Sequence, residues 1–210
     1  MRINITRHTY KRLRMFDSVF VKNPVLFFGL SIASVVTIST SLKAGVALSI
    51  AAFIIMFPTV LLASLIADSF QKGQRIVLYC LMGSVFYIPA FLLVKTFFPD
   101  VLNIVGVFMP LLVVNQILII KSNYHSHVKK PFIALCDIFF SVTGFSLVLC
   151  LVSLIREVLG SATIWGLTVT DITVIPAIVL PFSGFILLGF ICALAAFIKR
   201  KTNSSLVIKD

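Results

Sequence analysis

Six long apolar runs dominate this chain, near residues 24–41, 45–67, 76–97, 101–120, 132–155 and 173–198. At a helical rise of 1.5 Å per residue, twenty residues span roughly 30 Å, the thickness of a bilayer's hydrocarbon core. Composition agrees: 60% of the 210 residues are hydrophobic and 12% charged, whereas soluble domains carry about 25% charge. The sequence predicts an all-α integral membrane protein of six transmembrane helices. A basic cytoplasmic arm (1–22) precedes the membrane domain (23–198), and a basic cytoplasmic tail (199–210) follows it. No secretory signal peptide is expected, because the basic start lacks a short apolar core and a small-residue cleavage site.

The net charge of +11 does not imply a nucleic-acid partner, because the basic residues sit at the chain ends and in particular loops. The arm, the loops 68–75 and 121–131 and the tail hold all but three of the 18 lysines and arginines. The exceptions, Lys43, Lys95 and Arg156, fall in the alternate loops. This bias predicts both termini in the cytoplasm. In the arm, Leu13, Phe16 and Phe20 share a helical face among basic residues, which suits either the membrane surface or a solvated tail.

Six spans divide into two halves, 23–97 and 101–198, which an odd number of spans turns opposite ways. Each half opens on a polar-bearing span. The first carries Ser31, Ser34, Thr37, Ser39, Thr40 and Ser41. The fourth carries Pro110 and then Asn115-Gln116. Pro110 removes a backbone donor, so a kink or break is expected there. Asn115 and Gln116 must either bond a neighbouring helix or line a mid-membrane site, with Ser31 and Ser34 nearby. This pattern predicts two inverted repeats of three helices, with the first and fourth helices broken. In the sixth run, Pro181-Phe182-Ser183-Gly184 reads as another break. Gly189 and Ala193 give a small-residue packing face.

Asp137, near the start of the fifth run, is either an interfacial cap beside Lys129 and Lys130 or an ion-path carboxylate. Arg156 and Glu157, at the far end of that run, read as an ion pair or a subunit contact. His125 and His127 lie in a loop and suggest no metal. Cys80, Cys136, Cys150 and Cys192 lack CxxC spacing and read as buried free thiols. The sequence shows no catalytic triad, P-loop or GxGxxG, so no self-contained enzyme and no metal site of this chain's own are expected.

Four segments in order resemble one family: Asn23-Pro24-Val25-Leu26; Arg75-Ile76-Val77, then Pro99 and Gly106 to Asn115; Arg156 to Ser161; and Leu180 to Phe185. Together they resemble the RnfA/RnfE and NqrD/NqrE membrane subunits of bacterial ion-translocating redox complexes, over about residues 16–198. The cytoplasmic termini match the RnfE/NqrD branch. The resemblance implies a bacterial cytoplasmic-membrane protein surrounded by lipid. Its partners would be a homologous inverted subunit and other redox-complex subunits. It also implies a [2Fe-2S] cluster shared with that inverted subunit, each chain giving two cysteines, one from its first span and one from its fourth. Here those positions hold Ala33 and Gln116, and neither supplies a thiolate. The expectation is a complex subunit with no cofactor in this chain. A cluster-free small transporter or scaffold is the alternative.

Overall fold

The computed structural model describes residue 23, residues 25–26 and residues 29–66, 70–128, 131–168 and 176–207. The basic arm and Lys129 and Lys130 lie outside them. The elements are α1 (Ile32–Ile38), α2 (Leu42–Ile66), α3 (Lys72–Phe97), a 3-10 turn (Pro99–Val101), α4 (Leu102–Phe108), α5 (Pro110–Val113), α6 (Gln116–Val128) and α7 (Pro131–Ser161). A two-stranded hairpin follows, β1 (Thr163–Ile164) and β2 (Leu167–Thr168), then a 3-10 turn (Pro176–Val179) and α8 (Pro181–Val207).

Among the described residues, four helices are long and apolar enough to cross a membrane: Leu42–Ile66, Gln74–Phe97, Pro131–Ser161 and Pro181–Ile198. A fifth span is the bent pair Pro99–Phe108 and Pro110–Tyr124, which turns by 47° at its break. The protein is therefore a mostly helical, multi-pass membrane protein. The first apolar run is not a single long helix. Within its described part the chain turns left-handed at Gly29 (φ 65°) and Ser31 (φ 63°), and only the seven residues of α1 follow.

The core lies between α2 and α7, which pack along most of their length. Their seam is made of small side chains. A Cβ on Gly45 would lie 2.6 Å from the Ser153 hydroxyl, so the backbones approach closely. Ala44, Ala47, Ala51 and Ala52 of α2 are fully buried, as are Ile138, Val142, Phe145, Leu149 and Val152 of α7. α3 and α6 pack on one side of α2, whereas α8 packs on α1 and the turn before it. α3 and α8 present most of their surface outward, as lipid-facing helices do.

The hydroxyls inside the helices have a local use. Thr37, Ser49, Thr59, Ser84, Thr96, Ser141 and Thr143 each donate to the carbonyl four residues earlier. That keeps a polar side chain satisfied in a medium without water. Pro58 and Pro89 sit inside α2 and α3 without ending them.

Several boundaries differ from those the sequence suggests. α6 continues to Val128, so the expected loop from residue 121 is largely helix, and His125 and His127 lie on it. α7 runs six residues past 155. α8 begins at Pro181, not near 173, and stays helical beyond 198. Pro181 is its first residue, where a missing N–H costs nothing. Gly184 lies inside this helix and is not a break. A Cβ there would be 3.0 Å from Val36 and 3.2 Å from an Arg156 nitrogen, so the glycine admits close packing.

Candidate functional site: a junction of broken helices and a buried arginine clamp

The interruptions in the first and fourth apolar runs meet each other. Past Pro110, Leu112 and Asn115 donate to carbonyls only three residues back, and α6 restarts after Asn115. Asn115 is the N-cap of α6: its Oδ1 accepts the Ile117 N–H at 2.8 Å. The same oxygen accepts a hydrogen bond from the Ser31 hydroxyl at 2.5 Å. Ser31 is the left-handed residue at the start of α1. Two helix beginnings from different halves of the chain are thus joined through one carboxamide oxygen.

The other end of that carboxamide is unusual. Asn115 is 5% exposed, and its buried Nδ2 has no hydrogen-bond partner among the described residues. Leaving such a donor unmet costs about 1–3 kcal/mol. Ser34 is buried nearby in sequence on α1, whereas Ala33 and Gln116 both face outward from the chain. Of the four polar residues expected to gather mid-membrane, Ser31 and Asn115 touch directly. The groups offered at the junction are hydroxyls and carboxamides. The four cysteines are all half-buried, on α3, α7 and α8.

Asn23 plays a matching part at the start of the first run. Its Oδ1 accepts the Val25 and Leu26 N–H groups, and its Nδ2 donates to the Gly144 carbonyl of α7 at 2.9 Å. The Asn-Pro pair marks this helix start in the sequence, but the tie to α7 has no sequence signal.

Arg156 and Glu157 are where structure departs most from sequence reading. Arg156 is fully buried and Glu157 nearly so, and they do not pair with each other. The guanidinium directs its five N–H donors to five oxygens. Nε donates to the Ile178 carbonyl, Nη1 to the Val36 carbonyl and Ser39 Oγ, and Nη2 to the Val179 and Leu180 carbonyls. It therefore fastens the carbonyl end of α1 to the turn before α8. A cation suits a helix C-terminus, where carbonyls are left over. Gly160 and Gly184 give this knot its room; a Cβ on Gly160 would lie 2.5 Å from Val179.

Glu157 serves the opposite kind of helix end. Its Oε2 accepts the Leu42 N–H at the start of α2 at 2.6 Å, and its Oε1 accepts the Gly166 N–H at 2.9 Å and the Thr163 hydroxyl. Adjacent residues of α7 thus hold the end of α1 and the beginning of α2, on either side of the turn 39–41. The Asp137 carboxylate pairs with Lys121 of α6 at 2.8 Å, both side chains about three-quarters buried; Lys129 and Lys130, the neighbours the sequence offers it, lie outside the described residues.

Taken together, these features define a polytopic α-helical membrane protein with an interrupted span at its polar centre. The family model described as "Rnf-Nqr subunit, membrane protein" matches residues 12–192, and the chain belongs to that family. It is 26% identical over 202 residues to the E subunit of the ion-translocating oxidoreductase complex of Shewanella oneidensis, covering 89% of this chain and 87% of the relative. It is 26% identical over 153 residues to the same-named subunit of Methanosarcina acetivorans, covering 72% of each. It is 27% identical over 161 residues to the D subunit of the Na(+)-translocating NADH-quinone reductase of Chlamydia pneumoniae, covering 77% of this chain and 75% of the relative.

Proposed function

We propose that this chain is a membrane subunit of an Rnf/Nqr-like, ion-translocating redox complex that does not provide its own half of a [2Fe-2S] site. Family membership supports the first part. The junction carries the second. Ala33 and Gln116 stand where the family resemblance places cluster cysteines, and a methyl and a neutral carboxamide do not fit an iron–sulfur core. The hydroxyl and amide groups of Ser31 and Asn115 instead bond each other. In this reading the chain folds as six spans in two inverted repeats and sits in a bacterial cytoplasmic membrane with both termini inside. It pairs with a homologous inverted subunit and contacts further redox subunits. Ser31, Ser34, Asn115 and Gln116 form its mid-membrane polar site, and Asp137, Arg156 and Glu157 serve an ion path or a subunit contact. The relatives' names, each a subunit of an ion-translocating complex, weigh against a stand-alone transporter.

The test is iron content of the chain purified with its native partners, beside the variant Ala33→Cys with Gln116→Cys. The reading expects no [2Fe-2S] spectrum that depends on residues 33 and 116 in the unmodified chain. Iron gained only in the double variant identifies an emptied site. A stoichiometric cluster lost on changing Gln116 to Leu would overturn the reading.

A further inference from the structure

At the end of the bundle where α2 begins and α3 and α7 finish, four separate elements converge on a cavity of about 170 Å³. Lys43 of α2, Phe97 and Phe98 at the end of α3, Asp100 and Val101 of the following 3-10 turn, and Trp165 of the hairpin line it. We infer that this cavity binds the headgroup of a zwitterionic phospholipid of the phosphoethanolamine class.

Two observations carry this. The first is charge. Lys43 Nζ and an Asp100 carboxylate oxygen are 3.7 Å apart, beyond hydrogen-bond reach. One positive and one negative group therefore face the same opening with hydrogen-bonding capacity to spare. A ligand with an adjacent phosphate and ammonium complements both: phosphate on Lys43, ammonium on Asp100 and over the aromatic ring of Trp165. The volume is that of roughly five or six waters, which suits a headgroup of that size.

The second is backbone. Trp165 and Gly166 form the two-residue hairpin turn, with φ of 59° and 80°. Such turns favour Asn, Asp and Gly, because a bulky side chain at positive φ is strained. A tryptophan held there over the cavity points to a use beyond turning the chain, and tryptophan is the side chain most suited to the membrane–water interface. Ile164 and Leu167 beside it are exposed as well.

The competing occupant is an anionic lipid drawn by Lys43 and Lys95, the latter in the last turn of α3. Purified protein with its co-purifying subunits, in nanodiscs of equal phosphatidylethanolamine and phosphatidylglycerol, distinguishes them by native mass spectrometry of the retained lipid. The expected result is one retained phosphatidylethanolamine, enriched over phosphatidylglycerol. Asp100→Asn should lower that enrichment roughly tenfold, the worth of one charge-assisted hydrogen bond. Trp165→Gly suits the turn better, so it should lose the lipid while the melting temperature holds or rises, which separates lost binding from lost folding. Phosphatidylglycerol preferred by the unmodified protein would overturn the inference. So would unchanged enrichment in Asp100→Asn, or displacement of the lipid by soluble glycerophosphoethanolamine.

Discussion

Replacing Arg156 with lysine keeps the charge and removes the fan of donors. The guanidinium reaches five oxygens on two segments, the end of α1 and the residues 178–180. An ammonium offers three donors from one point, so it can serve one segment but not both. At least two charge-assisted hydrogen bonds are lost, each about 1.5–3 kcal/mol, for a total of about 3 kcal/mol or more. In a chain of this length, 1 kcal/mol moves the melting temperature by about 2–4 °C, so Arg156→Lys should melt about 6–12 °C lower. Arg156→Met also removes the cost of burying a cation but leaves the carbonyls unmet, and should be destabilised by about 3–5 kcal/mol. The half-buried thiols of Cys80, Cys136, Cys150 and Cys192 provide the assay: a thiol-reactive fluorophore reports their exposure during a thermal ramp in detergent. A lysine variant melting within about 2 °C of the unmodified protein would refute the clamp. So would a methionine variant as stable as the original.

Other expectations follow from the same contacts. Glu157→Gln should speed amide exchange at Leu42 and Gly166 and cost about 0.5–1 kcal/mol, because a neutral amide caps the start of α2 less well; unchanged exchange at both amides would count against that role. Asn115→Ala loses about 2 kcal/mol with the N-cap and the Ser31 bond and regains about 1–3 kcal/mol with the unmet Nδ2, so the same thiol-exposure melt should move little; a loss of the full ~2 kcal/mol would show that the Nδ2 is satisfied. Gly45→Ala should destabilise through its 2.6 Å approach to the Ser153 hydroxyl. Adding Ser153→Ala should recover part of that loss, and additive melting shifts would show that the seam is looser than described. Labelling of cysteines introduced at Ser161 and Ser204 should occur from opposite sides of the membrane; labelling from one side would remove the six-span arrangement.

The membrane class is plain in the sequence, since apolar runs of this length have few alternatives. The interruption is legible too, because Pro110 and the Asn115-Gln116 pair break both backbone and hydropathy patterns at once. The partnership of Asn115 with Ser31 is legible only as proximity. Which amide atom meets which donor depends on the left-handed turn at Ser31, a conformation that a serine does not announce. Arg156-Glu157 reads as an ion pair because opposite charges are adjacent. Neighbours on a helix point about 100° apart, so each reaches a different helix end instead. Gly184 reads as a break because it follows a proline, yet its use is room for the arginine. The hairpin 163–168 leaves no trace in the sequence, for its turn has Trp where Asn or Asp would mark it.

The small-residue seam between α2 and α7 has a consequence for biosynthesis. α2 is complete at Ile66, but its main partner is complete only at Ser161. At ribosomal rates of about 5–20 residues per second, α2 waits on the order of 5–20 s with Gly45 and Ser49 facing something other than α7. Lipid chains fill such a groove poorly, and an unrelated nascent helix could fill it well. During that interval the chain depends on the insertion machinery to keep the groove covered until its proper partner leaves the ribosome.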